Sequence, residues 1–111
     1  MSCTVNLCEV INMNEKKALN GTYTLYKEMK KAFPKIEQFF TPSVLSEFLD
    51  TSVHQLEKYN YGIGTMIRLK MLSRRNALYH EFVNLGYTDK ELMSLEILKG
   101  FHKQKNLHDR S

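Results

Sequence analysis

From Thr22 onward, apolar residues recur every three or four positions. Leu25, Met29, Ala32 and Phe33 form one stripe, while Lys27, Glu28, Lys30 and Lys31 take the other face. Asn20-Gly21 is a turn or cap signal, and Thr22 is an N-cap for a helix running to Phe33. Pro34 ends that element, because the residue before a proline is pushed out of the helical region. Thr41-Pro42 is the clearest start signal, a capping hydroxyl followed by proline at the first helical position, and Val44, Leu45, Phe48 and Leu49 supply the buried face. Asp50-Thr51-Ser52 offers a break and a fresh cap. The pattern then predicts one helix through Tyr59, Ile63, Met66, Ile67 and Leu69, with Gly62 and Gly64 inside it. Each glycine costs roughly 1 kcal/mol there against alanine, which points to a kink or a close approach of another helix.

Ser73 can cap the next helix, with Leu78, Phe82 and Leu85 inward and Gly86 just past its end. Thr88-Asp89-Lys90-Glu91 reads as a capping box for a last helix with Leu92, Leu95, Leu98 and Phe101 inward. Its final turn collects Lys99, His102, Lys103 and Lys105, which suits the negative end of a helix dipole. No stretch alternates with period two for long enough to make a sheet. The prediction is an all-α fold, a single compact bundle of about five helices over residues 20–105. Residues 1–19 read as an N-terminal extension, partly ordered, of which residues 1–12 have little structural role because Met13 and its charged successors resemble a conventional start, and residues 106–111 read as a frayed tail.

Composition changes this picture little: 111 residues make one domain, and 42% hydrophobic with 25% charged residues is ordinary for a globular chain. Disordered, collagen-like and disulfide-scaffold classes are excluded. No apolar run approaches the roughly 18 residues of a membrane span, and no signal segment opens the chain, so a cytoplasmic protein with no membrane contact is expected. Charge is more informative. Residues 1–57 hold 6 lysines and 7 acids, a net of −1, whereas residues 58–111 hold 10 basic residues and 5 acids, a net of +5. Arg68, Lys70, Arg74 and Arg75 fall close together with Tyr59 and Tyr61 nearby, residue types that serve protein interfaces and phosphate backbones alike. These six are the expected binding surface. A helix-turn-helix around Gly86 would start its recognition helix with Asp89 and Glu91, the wrong charge for DNA.

Cofactor chemistry finds no support. Cys3 and Cys8 cannot complete a tetrahedral zinc site, His54, His80, His102 and His108 stand singly, and no metal or other cofactor is expected. The serines lack a glycine elbow, and no pair of carboxylates has acid–base spacing. Arg75-Asn76-Ala77-Leu78-Tyr79-His80 does match the Arg-Asn-x-x-x-His pattern of helical ribonucleases of the HEPN type, in which histidine moves protons and arginine stabilises phosphorane charge. Helical geometry turns His80 about 200° away from Leu78, toward solvent.

Tyr61-Gly62-Ile63-Gly64-Thr65-Met66-Ile67-Arg68, then Leu85-Gly86, Leu92-Met93-Ser94 and Ile97-Leu98-Lys99-Gly100-Phe101-His102 follow one another in that order. This run resembles a small bacterial domain family of unknown function, common in Bacteroidetes-like genomes, with a Phe-Gly-Leu-Gly-x-x-Ile-Arg motif, a Leu-Gly, an Asp-x-Met-Ser and a closing Phe/Tyr-His. Family members usually carry Asn-Asn-Trp after the arginine, where this chain has Leu69-Lys70-Met71. The resemblance implies a helical fold and transfers no catalytic residues.

The expected function is a non-enzymatic interaction module that binds a larger, nucleic-acid-handling protein or ribonucleoprotein, with direct nucleic-acid contact left open. Size and charge are those of mobile-element inhibitors of bacterial defence, anti-CRISPR proteins included. The alternatives are a HEPN-like ribonuclease using Arg75 and His80, and an immunity or antitoxin protein.

Overall fold

A computed structural model describes residues 12–109, and the side chains of residues 22–107. Cys3 and Cys8 lie outside the described residues. Five α-helices and one 3₁₀ helix follow in order, with no strand among the described residues: α1 (Asn12–Glu37), α2 (Pro42–Asp50), the 3₁₀ helix (Val53–Tyr61), α3 (Ile63–Met71), α4 (Ala77–Asn84) and α5 (Lys90–Asp109). Helix α5 is the axis, packed on the 3₁₀ helix, α3, α2 and α1, and α4 lies against α1.

Helix α1 corrects two expectations. It begins at Asn12, so Asn20-Gly21 lies within a helix rather than capping one. It also runs through Pro34. Leu25, Met29, Phe33, Ile36 and Phe40 form one unbroken buried stripe across the proline. Burying Ile36 and Phe40 is worth roughly 1.5–3 kcal/mol each, enough to offset much of the helix penalty of an internal proline. The end then tightens into i→i+3 bonds, Phe39 N to Ile36 O at 2.9 Å among them.

Helix α2 starts as its sequence predicts: Thr41 Oγ1 accepts from Val44 N at 3.2 Å, and Pro42 stands in the first turn. Thr41→Ala should cost about 1 kcal/mol in urea unfolding, the usual worth of such a cap; an unchanged midpoint would show the cap to be idle.

The single helix expected from residue 53 to 69 is two. Val53, Leu56 and Tyr59 repeat every third residue, which suits a 3₁₀ helix, where side chains three apart eclipse. Ser52 caps it, Gly62 makes the break, and α3 follows. The start of α4 also moves: Asn76 is its N-cap, while Ser73 hydrogen-bonds Asn76 Oδ1 from both N and Oγ. Its C-terminus is a Schellman motif, with Gly86 at φ 98° and Tyr87 N bonded to Phe82 O at 3.0 Å. At α5, Asp89 rather than Thr88 takes the capping bond, from Glu91 N at 2.8 Å. The helix does not fray at Asn106, whose amide donates to Leu49 O at 3.3 Å.

Phe48 and Phe101, both fully buried, hold the centre together with Phe33, Phe40 and Tyr59. Met93, Ile97 and Leu98 complete the face of α5. Two expected core residues are outside it: Leu69 is 77% exposed and Leu92 is 54% exposed.

Candidate functional site

The 3₁₀ helix, α3 and the first turns of α5 meet around Arg68. Its guanidinium donates from Nη1 to Ser94 Oγ at 2.8 Å, Asn60 O at 3.2 Å and Asn60 Oδ1 at 3.3 Å, and from Nη2 to Thr65 Oγ1 at 2.9 Å. Thr65 Oγ1 in turn donates to Tyr61 O at 2.8 Å, and Asn60 Nδ2 to Glu91 O at 3.0 Å. Ser94, fully buried, has its Oγ 2.6 Å from Asn60 Oδ1 and 3.0 Å from Glu91 O. The Asn60 and Ser94 side chains and both terminal nitrogens of Arg68 therefore meet partners of opposite hydrogen-bonding sense, as a low-dielectric interior favours.

Gly64 makes the junction possible. A Cβ there would collide with Asn60 Oδ1 and sit 2.9 Å from Asn60 Cγ. The close approach anticipated from Gly62 and Gly64 thus exists at Gly64, and what approaches is the Asn60 side chain rather than a second helix backbone. Gly62 has nothing near its missing side chain and serves the break between helices. Residues quoted above from separate stretches of the chain, Gly64, Arg68 and Ser94, converge at this one place.

Above the network lies a cleft of about 200 Å³ lined by Glu57, Asn60, Tyr61, Arg68, Asp89, Glu91, Leu92 and Leu95. Its charged walls are three carboxylates and one guanidinium, and none of the carboxylates pairs with Arg68 among the described residues. Tyr61 is 83% exposed, so the cleft is flanked by an apolar ring and by Leu92. On a chain of net charge +4, this is a locally acidic hollow with apolar shoulders.

The six expected binding residues do not form one surface. Tyr61 is exposed at the cleft, but Tyr59 is buried, edge-on to Phe48 at 5.0 Å with its hydroxyl 3.3 Å from Thr51 Oγ1. Burial holds its phenol above the usual tyrosine range. The expectation that Tyr59 meets a partner is corrected by this packing. Arg68 is spent on the internal network. Lys70, Arg74 and Arg75 are exposed. Lys70 lines a separate hollow of about 190 Å³ with Lys31 and Lys35 of α1, beside the start of α4. Sequence reading missed that grouping, because Lys31 and Lys35 stand more than thirty residues from Lys70.

His80 is exposed, as helical geometry requires, and its Nε2 donates to the carbonyl of Arg74. Arg75 precedes α4 rather than riding on it. His102 is partly buried, with Nε2 donating to Thr51 O at 2.7 Å and its ring edge-on to Phe48. No group of three or more metal-ligating side chains occurs among the described residues. No described helix is long and apolar enough to cross a membrane.

No protein-family model, curated protein or solved structure matches the chain.

Proposed function

We propose that this protein is a non-catalytic interaction module whose contact face is the Arg68 cleft with Tyr61 and Leu92 on its shoulders. The observation that carries this reading is the exposure of two large apolar side chains beside a polar floor tied together by the Arg68, Asn60 and Ser94 hydrogen bonds. Aromatic and aliphatic anchors around a preorganised centre are what protein interfaces use for affinity. Glu57, Asp89 and Glu91 make the rim acidic. Such a rim repels a phosphate backbone and suits a basic protein surface, of the kind nucleic-acid-handling proteins present. An inhibitor of a bacterial defence complex, anti-CRISPR-like in mode, acts in this way from the cytoplasm. An immunity or antitoxin protein would use the same surface. Lys35 and Lys70 at the hollow beside α4, where Lys31 is already paired with Glu28 at 3.0 Å, and the exposed Arg74 and Arg75 offer cationic groups through which a ribonucleoprotein's nucleic acid can add contacts.

The test is comparative capture from the native host with the tagged protein and two variants. A partner held by the wild type, resistant to nuclease digestion and lost from Tyr61→Ala/Leu92→Glu while retained by Arg74→Glu/Arg75→Glu is the expected result. Loss from the arginine reversals alone, with steep salt dependence, would move the contact to nucleic acid. RNA cleavage by the purified protein that disappears in folded His80→Ala would instead establish the ribonuclease.

A further inference from the structure

A further hollow, sharing no lining residue with the Arg68 cleft, runs between α1 and α5 with a volume of about 590 Å³. Its apolar surface comes from Tyr26 and Met29 of α1, Val53, and Gly100 and Leu107 of α5. Tyr26, Val53 and Leu107 are 42%, 39% and 56% exposed, an apolar strip that a monomer gains nothing by leaving wet. At 1.5 Å per residue, the stretch of α5 from Glu96 to Leu107 makes the groove about 16 Å long, three helical turns.

The edges of the groove are mostly cationic. Lys99 and Lys103 stand on α5, and Glu96, the one carboxylate among the described lining residues, is 3.6 Å from Lys99. On the α1 side, Lys30 lies over the Tyr26 ring at 5.4 Å and Lys27 over the neighbouring Tyr23 ring at 5.7 Å. A second copy of this chain would bring like charge against like charge, which argues against a symmetric dimer here. We infer that the α1–α5 groove takes an amphipathic helix of a partner protein, with an apolar stripe of three turns and acidic flanks. Helix-in-groove recognition places anchors at i, i+3, i+4 and i+7, and the groove's length and apolar floor match that register. This groove shares no lining residue with the cleft, and the two have opposite charge preferences.

The probe is a pair of labelled 14-residue helical peptides with one leucine stripe at that spacing, flanked by glutamate in one and by lysine in the other. Titrated into the full chain, the glutamate peptide should bind and shift the amide resonances of Tyr26, Lys99, Gly100 and Lys103. Lys99→Glu/Lys103→Glu, two surface changes, should weaken it at least about tenfold and admit the lysine peptide instead. Absence of binding, indifference to the reversal, a preference for lysine flanks, or shifts centred elsewhere would each overturn the proposal. So would a dimer dispersed by Leu107→Glu, or contacts from residues 1–11 to Tyr26 in the free protein, since the groove would then belong to a second copy or to the chain itself.

Discussion

Arg68→Ala is expected to lower unfolding stability by about 3 kcal/mol, with a fall in Tm of roughly 10–15 °C. The substitution removes four hydrogen bonds from one charged donor and leaves Ser94 Oγ, buried with no access to water, short of its strongest donor. Hydrogen bonds to ionised groups contribute about 1.5–3 kcal/mol, and the lone pair of Ser94 Oγ left without its donor adds about 1 kcal/mol to the loss, although the hydroxyl still bonds Asn60 Oδ1 and Glu91 O. Arg68→Lys should recover only part of this, because an ammonium cannot span Thr65 on one side and Asn60 with Ser94 on the other. Gly64→Ala attacks the same junction from below by displacing Asn60. Urea denaturation of the three variants checks the argument. A wild-type midpoint for Arg68→Ala would mean that the guanidinium is held for a ligand rather than for the fold.

Phe48→Ala should cost about 3–5 kcal/mol, the range for removing a fully buried aromatic ring. Phe48 is fully buried and touches Phe40 at 4.9 Å, Tyr59 at 5.0 Å and His102 at 5.3 Å between ring centres. Helix α2 has only nine residues, so losing its principal anchor should also loosen it from α5. Near-ultraviolet circular dichroism should weaken while far-ultraviolet helicity largely remains. A stability loss below 1 kcal/mol would mean that the neighbouring rings collapse into the gap.

Where local chemistry decides conformation, it was readable. Thr41-Pro42 starts a helix and Gly86 ends one, each for reasons carried by the residues themselves. Pro34 misled because the buried stripe through Ile36 and Phe40 outweighs the local preference to stop. Leu92 misled for a different reason: it and Met93 are adjacent apolar residues about 100° apart on α5, and only the neighbouring helices decide which one is covered. The period-three run of Val53, Leu56 and Tyr59 was there to be read as a 3₁₀ helix, and would have separated it from α3. Arg68 was noticed for its charge, but its role rests on Asn60 and Ser94, which no periodicity links. The grouping of Lys70 with Lys31 and Lys35 was hidden in the same way.

The bond between Ser94 and Asn60 joins residues 34 positions apart in the chain. The cleft is therefore absent from every fragment that stops before α5. During synthesis the chain has no cleft to offer until α5 has docked, however early α2 and α3 become helical. Any contact made through this face thus requires α5 in place, and copies cut before α5 cannot compete for it.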